Sequence, residues 1–337
     1  MALNFTYLLG AGASANSVPV VDKFHGGLHD FCVDMDEVKS NNSSIKIEEL
    51  RELIEDIKET IKHSASFDTY AKKLYLSGEN VKYLNYKRAI SCYIFYNNLT
   101  QVRDNRYDLF FASLLEKSKS VGVVIPNNLN VISWNYDRLV EMSLCHLMSL
   151  DSMAIADKVN IYSNYTDIGQ TYKNNRLNLI KLNGSAGNKF EYPVIEPKDK
   201  ESALEKVLFY FNSLKNEPEG NWGIQFSWEL DNNSIIEARA KSKAILEQTD
   251  HLIIIGYSFP TFNRKIDFEL LRSLKGGAKI HLQTPKDDIS SVKQRLNALL
   301  GISDDYFNLK VYTDTKEFFI PFEFNDINPI EDNYYFA

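Results

Sequence analysis

The sequence predicts an α/β fold, a doubly wound and mostly parallel Rossmann-like sheet with an inserted helical module. Short apolar runs of strand length recur along the chain and alternate with stretches of helical periodicity. The first of these runs ends in a glycine-rich turn, Gly10–Ser14, which leads into a helix-permissive stretch. Residues 23–120 contain no convincing buried strand, so we expect a helical segment to interrupt the sheet after its first βα unit.

Strands are predicted where apolar residues are bounded by turn-forming ones. Residues 4–9 form the first strand, and residues 251–255, His-Leu-Ile-Ile-Ile, form the most strongly apolar one. The remaining predicted strands lie at residues 130–133, 159–162, 177–182, 279–283 and 309–312.

Helices are predicted between these strands. Apolar residues recur at helical spacing over residues 45–57, and residues 80–118 indicate one or two helices rich in Tyr and Phe. A further helix is expected over roughly residues 234–248. The predicted divisions are a Rossmann domain at 1–24 and 126–320, a helical module at 25–125 and a C-terminal tail at 321–337.

Composition argues against several classes of protein. The chain has 337 residues, of which 44% are hydrophobic, so it can bury a sizeable core. A net charge of −7 argues against nucleic-acid binding, and we find no apolar run that suits a membrane span or a signal peptide. The cysteines Cys32, Cys92 and Cys145 lie far apart, which indicates a reducing, cytoplasmic location. Three cysteines cannot form a four-thiolate zinc site, and we predict no bound metal.

Small and polar residues follow five of the predicted strands. In open α/β sheets, ligands bind outside the carboxyl ends of the strands. Glycines let the backbone approach an anion, and a helix N-terminus offers it free N–H groups. Each of these sequences alone is more often a turn or a helix cap. Together they predict a nucleotide site formed by Gly10, Ala11, Gly12, Ala13, Ser14, Asn135, Asp137, Asn183, Gly184, Gly256, Tyr257, Ser258 and Gln283.

Four of these motifs resemble those of one family. Gly-Ala-Gly-x-Ser, Asn-Tyr-Asp, Lys-Leu-x-Gly-Ser and Gly-Tyr-Ser-x-Pro occur here in the order seen in sirtuin-like NAD-binding domains. The chain is most similar to the branch found in bacterial anti-phage defence systems. The resemblance covers residues 3–285 and is weakest over residues 25–125. The stretch Tyr-Pro-Val-Ile-Glu-Pro at 192–197 is similar to a proline-flanked segment of these domains.

The resemblance implies a role for each motif. The Gly10–Ser14 turn would cradle the pyrophosphate of NAD, and Gly256 to Ser258 would face the adenosine ribose or phosphate. Asn135 would lie by the nicotinamide ribose and orient the attacking water. Asp137 would hold that loop and the nicotinamide end. Gln283 would contact the ribose or adenine, and Gly184 belongs to the motif that carries the catalytic histidine in the family.

The resemblance also implies an activity. Deacetylating sirtuins carry a four-cysteine zinc module that this chain lacks, so hydrolysis of NAD to nicotinamide and ADP-ribose is the activity left. In the defence branch this hydrolysis depletes NAD in an infected cell, which is abortive infection. Such an effector must be restrained, so we expect a sensor or regulatory partner subunit and an oligomer. NAD is expected as the substrate, with no membrane or nucleic-acid partner.

Asn183 departs from the family, because it occupies the position of the catalytic histidine. Histidine can act as a base near neutral pH and asparagine cannot. Three interpretations stay open: an engineered inactive form, a natural enzyme with slow hydrolysis carried by Asn135, or a pseudoenzyme that only binds. The alternative function is an NAD- or ADP-ribose-binding sensor or scaffold. An NAD(P) dehydrogenase is disfavoured, because no second strand with an acidic end follows about 20 residues after Gly12.

Overall fold

The computed structural model describes most of the chain. The described residues are 3–18, 24–62, 66–118, 122–150, 154–164, 173, 176–187, 198–216, 223–229, 232–303 and 308–325. The proline-flanked segment 192–197 and the end of the predicted tail, 326–337, lie outside them. Within these ranges no helix is both long and apolar enough to cross a membrane.

Seven parallel strands form one sheet, and two short strands form a separate antiparallel hairpin. In chain order the strands are β1 (Phe5–Leu9), β2 (Glu116–Ser118), β3 (Gly122–Val124), β4 (Leu129–Ser133), β5 (Val159–Tyr162), β6 (Leu177–Lys181), β7 (His251–Ile255), β8 (Lys279–Gln283) and β9 (Leu309–Tyr312). The large sheet has the order β5-β6-β4-β1-β7-β8-β9. This confirms the predicted α/β class with a parallel, Rossmann-like sheet.

The first strand lies at the centre of this sheet. Leu9, the last residue of β1, pairs with Ser133 of β4 on one side and with Ile255 of β7 on the other. The three strands therefore end at the same level. The chain builds the β4 side first and then crosses to β7, so the ends of β1 and β7 form a topological switch point, where ligands bind in open α/β sheets.

Ten α-helices occur in the described residues. They are α1 (Phe24–Asn41), α2 (Glu48–Ile61), α3 (Phe67–Ser77), α4 (Asn80–Thr100), α5 (Asn105–Leu114), α6 (Leu139–Met148), α7 (Lys200–Asn216), α8 (Asn233–Leu246), α9 (Arg264–Leu271) and α10 (Ile289–Leu300). The helix predicted over 45–57 corresponds to α2, and the stretch 80–118 contains α4 and α5 followed by β2. Helix α8 confirms the prediction for 234–248.

Packing divides the helices differently from the chain order. Helices α1 to α4 share one apolar core with α7, in which Phe95 of α4 meets Tyr210 of α7 at 5.2 Å between ring centroids. Helix α5 instead packs on the sheet, with Phe110 against Tyr7 of β1 at 4.7 Å. The predicted module 25–125 thus includes α5, whose buried face belongs to the sheet, and omits α7. The boundaries themselves stay a prediction.

Candidate functional site

The turn after β1 packs directly on the turn after β7. The Gly10 N–H donates to Ile255 O at 3.0 Å, and the Gly12 N–H donates to Gly256 O at 2.8 Å. A Cβ at Gly12 would lie 2.8 Å from Gly256 Cα, and one at Gly10 would lie 2.5 Å from Tyr257 Cα. Only glycine allows the two backbones to come this close. These two N–H groups are used inside the protein, so any phosphate contact by the turn must come from its other groups.

Asn135 is fixed by the same turn. It follows β4, and its Nδ2 donates to Gly10 O and to Ser14 Oγ, each at 2.9 Å. Its own N–H donates to Ser133 Oγ at 3.1 Å. Both amide hydrogens are therefore engaged, and among the described residues none donates to Oδ1. The side chain is only 8% exposed, so Oδ1 is a positioned acceptor that could bind a water or a sugar hydroxyl.

Helix α5 contacts the glycine turn through two of its side chains. The Tyr107 hydroxyl lies 3.2 Å from Ser14 Oγ. The Arg106 guanidinium donates to Ala13 O at 3.0 Å and binds the Asp104 carboxylate, which caps α5. Burial of this ion pair with its extra hydrogen bonds holds the turn in one conformation.

Asn183 lies at the end of β6, where its side chain is held by two neighbours. Its Nδ2 donates to the Tyr136 hydroxyl at 3.4 Å, and its Oδ1 accepts from Arg239 Nη2 at 3.4 Å. Its backbone carbonyl accepts from the Gln225 N–H at 2.8 Å. Burial lowers the pKa of Arg239 to about 10, which still leaves it charged at neutral pH. The positive guanidinium of Arg239 therefore lies next to the Asn183 amide.

Asp137 lies two residues after Asn135 and shapes the start of α6. Its Oδ1 accepts from the Leu139 N–H at 3.1 Å, and the side chain is 4% exposed. Its carbonyl accepts from the buried Lys181 ammonium, which also lies 3.5 Å from the Glu141 carboxylate. The carboxylate thus caps the start of α6, and its role in holding the Asn135 loop and the nicotinamide end stays a prediction.

An aromatic wall continues the site toward α9. Trp134 stacks on Tyr257 with 5.9 Å between ring centroids and 17° between planes. The Tyr257 hydroxyl donates to the Asp267 carboxylate at 2.7 Å and accepts from Asn263 Nδ2 at 3.0 Å. Burial raises the pKa of Asp267 to about 8. This carboxyl therefore holds its proton more tightly than an exposed aspartate does, and it packs against the wall through Tyr257.

These groups border one cleft of about 200 Å³. The predicted site residues that line it are Ala11, Ser14, Asn135, Asp137, Asn183, Gly256, Tyr257 and Ser258. The predicted residues that do not line it are Gly10, Gly12, Ala13, Gly184 and Gln283. Gln283 is 3% exposed and binds backbone instead, donating to Glu317 O and accepting from the Phe319 N–H. Its role as a ribose or adenine contact stays a prediction.

The residues that the helical module contributes to the cleft were not predicted from the sequence. Phe24 of α1, Phe67 and Asp68 of α3 and Ile94 of α4 line it beside the sheet residues. None of these belongs to a motif at a strand end, so no local signal marks them. They contribute because the module packs over the carboxyl end of the sheet.

In the part of the chain that the structure describes, no cluster of three or more His, Cys, Asp or Glu could hold a metal ion. Cys32, Cys92 and Cys145 are all buried.

Comparisons with known proteins give only distant likenesses. No family model matches the sequence, and no curated protein matches it. A solved Sir2 complex with deacetylated p53 peptide and 3'-O-acetyl ADP-ribose is 14% identical, with a TM-score of 0.36, and covers 89% of this chain and 94% of that one. A Sir2 complex with acetylated peptide is 16% identical, with a TM-score of 0.34, and the match covers 89% of this chain and 94% of that one. A Sir2 complex with the inhibitor EX-527, 2'-O-acetyl-ADP-ribose and deacetylated p53 peptide is 16% identical, with a TM-score of 0.34 and coverage of 89% and 95%. Likenesses this low say nothing about function, and the α/β class rests on the sheet itself.

Proposed function

We propose that this chain is an NAD⁺ hydrolase that releases nicotinamide and ADP-ribose from the cleft between β1, β4, β6 and β7. The observation that carries the proposal is the convergence of Asn135, Asp137 and Asn183 on one cleft with the glycine turn. These groups come from three strands that are far apart in the sequence. The sirtuin-like motifs that they belong to motivate NAD as the substrate.

The residues of the cleft suit one end of a dinucleotide. Its volume of about 200 Å³ is below the roughly 300–1,000 Å³ of most small-molecule pockets, so it suits a nicotinamide ribose and not a whole dinucleotide. The stacked pair of Trp134 and Tyr257 offers a planar apolar wall, and Asn135 Oδ1 offers an acceptor. The diphosphate would extend toward the solvent-exposed Ala11 and Ser258.

The chemistry asks little of general acids. Nicotinamide leaves a cationic pyridinium as a neutral molecule, and the ribose passes through an oxocarbenium-like state, as in glycoside hydrolysis. The protein must hold the glycosidic bond and place one water at the anomeric carbon. Asn135 Oδ1 is positioned to accept a hydrogen bond from that water. Asn183 cannot remove the proton of this water. An engineered inactive form would therefore show no turnover, whereas a slow natural enzyme would show a low rate.

The biological role is proposed on the motif resemblance alone. The chain would be the effector of a bacterial anti-phage abortive-infection system and would deplete NAD when infection is sensed. An unrestrained enzyme of this kind would kill its own cell. We therefore propose control by a sensor or regulatory subunit, or by assembly into an oligomer.

Nicotinamide release tests this function. The purified protein and its Asn183→His variant are incubated with NAD, and nicotinamide is measured by chromatography. We expect release by the Asn183→His variant, at least about tenfold faster than by the parent chain, because an imidazole can take the proton of the water. Asn135→Ala, combined with Asn183→His, should remove that release. No release from either protein, with or without candidate partner subunits, would overturn the proposal.

A second candidate is an NAD or ADP-ribose sensor that does not cut its ligand. The engagement of the Asn183 amide by Tyr136 and Arg239 favours it, because the position of the missing base is filled by a satisfied hydrogen-bonding group. Calorimetry separates the two. Tight binding of intact NAD that persists in the Asn183→His variant without nicotinamide release would identify the sensor.

A further inference from the structure

One carboxylate of the helical module opens into the cleft. Asp68 lies in the first turn of α3, whose start is fixed by the Ser66 cap, with Thr69 N donating to Ser66 Oγ at 3.2 Å. It lines the same cleft as Asn135 and Asn183. The module thus brings an ionisable group to the side of the cleft opposite the sheet.

The surroundings of Asp68 are apolar. Phe24 stacks on Phe67 with 4.7 Å between ring centroids, and Ile94 lies beside them in the wall of the cleft. Across the described parts of the chain, no group donates a hydrogen bond to the Asp68 carboxylate and no cation pairs with it. Burial raises the pKa of Asp68 to about 7. The group can therefore bind and release a proton near neutral pH.

Two phenols on other elements of the described chain feel the charge of Asp68. The pKa of Tyr86 on α4 and that of Tyr136 after β4 are raised, first by burial and then by the charge of Asp68. On its own helix, Tyr70 stacks edge-on against Tyr86, and the Lys72 ammonium lies over two aromatic rings at 4.9 and 4.8 Å. Tyr86 and Tyr136 therefore keep their protons near neutral pH, whereas the raised pKa of Asp68, about 7, lies in that range.

The other polar side chains of this cleft are less suited than Asp68 to accept a proton from water. The Asn183 amide has no basic atom. Tyr136 keeps its proton, since burial holds its pKa well above the usual value. Asp137 Oδ1 already accepts a hydrogen bond from the Leu139 N–H at the start of α6.

We propose that the Asp68 carboxylate is the general base of this site and replaces the histidine that Asn183 does not provide. The inference rests on the proposed hydrolysis of NAD. In the step, the C1'–N bond breaks and its electron pair goes to the pyridine nitrogen of nicotinamide. The water oxygen forms the new bond to C1', and one water proton goes to the Asp68 carboxylate, which then releases it to solvent. Products are neutral nicotinamide, ADP-ribose and one proton.

The pH profile of the parent chain and of Asp68→Asn tests this role. We expect nicotinamide release by the parent to rise with pH, to be half-maximal near pH 7 and to level off about one pH unit above it, as Asp68 ionises. Asp68→Asn should lower the rate at pH 8 by about 100-fold or more and remove the rise with pH, with little change in the Kd for NAD. The matched control is Asp56→Asn, an exposed acid on α2, which should keep the parent rate and profile.

A second variant distinguishes a base from a structural carboxylate. Azide attacks C1' without losing a proton, so it should restore turnover to Asp68→Ala and form an ADP-ribosyl azide. Loss of activity without azide rescue would overturn the role of Asp68 as a base. A parent-like rate and pH profile in Asp68→Asn would overturn it while leaving NAD hydrolysis standing. If the parent releases no nicotinamide at any pH while Asn183→His is active, the role of Asp68 as a base is overturned. If both proteins are inactive, the proposed hydrolysis of NAD is itself overturned.

Discussion

Among single residues, Asn135 shows how the fold positions a side chain by backbone contacts. Its two amide hydrogens bind Gly10 O and Ser14 Oγ, and the residue lines the cleft with its Oδ1 left as an acceptor. The motif Asn-x-Asp after a strand predicted this residue and Asp137. Tyr107 and Asp68 could not be predicted in the same way, because their place at the site depends on how α5 and α3 pack on the sheet.

Asp267 should make the stability of the protein depend on pH. Its pKa in the folded protein is raised to about 8 by burial, while the unfolded value is ordinary. The folded state therefore holds the proton more tightly than the unfolded state, and the free energy of unfolding falls as pH rises toward 8. Asp267→Asn should remove this loss, so its stability relative to the parent should increase between pH 5 and pH 8.5. Urea unfolding at both pH values measures it, and a pH-independent difference would contradict the assignment.

At the scale of elements, the contact between the turns after β1 and β7 defines the floor of the site. The strand ends were predictable, since apolar runs stop at glycines in both places. The contact between the two turns was not predictable, because it depends on the pairing of β7 with β1. Gly12 and Gly256 thus look like phosphate-binding residues in the sequence, while the structure gives them a close packing contact.

Gly12→Ala tests this contact. The added Cβ would lie 2.8 Å from Gly256 Cα, so the two turns must separate. We expect a loss of about 1–3 kcal/mol in the free energy of unfolding, and weaker binding of ADP-ribose. Gly276→Ala is the matched control, because a Cβ there meets nothing within 4 Å. Equal stability of the two variants would show that the turns are not in contact.

The neighbouring strands β7 and β8 share a histidine pair away from the site. His251 Nδ1 lies 3.1 Å from His281 Nε2, and burial lowers the pKa of both, that of His281 to about 4. A lowered pKa means that the unfolded state takes up protons first, so stability is lost as pH falls from about 6.5 toward 4. His281→Gln should reduce this loss relative to the parent in urea unfolding at pH 7.5 and 5. An unchanged loss would show that His281 does not contribute to it.

At the scale of the whole molecule, the sequence predicted the seven strands of the large sheet, but neither their order nor the short β2–β3 hairpin, whose first strand lies in the stretch 80–118 that was predicted to be helical. Hydrophobic runs identify β1, β4, β6, β7 and β8, whereas the order β5-β6-β4-β1-β7-β8-β9 depends on long-range pairing. The same holds for α7, which joins the helical module through contacts such as Phe95 with Tyr210. Local patterns carry no information about these contacts, and they decide which residues close the cleft.

Crystallisation of this protein with ADP-ribose would show whether the cleft is the binding site. We expect the terminal ribose within hydrogen-bond distance of Asn135 Oδ1 and beside Asn183, with the diphosphate running along the Gly10–Ser14 turn toward Ser258. ADP-ribose bound at any other cavity, or this cleft left without ligand at saturating concentration, would rule out the proposed site.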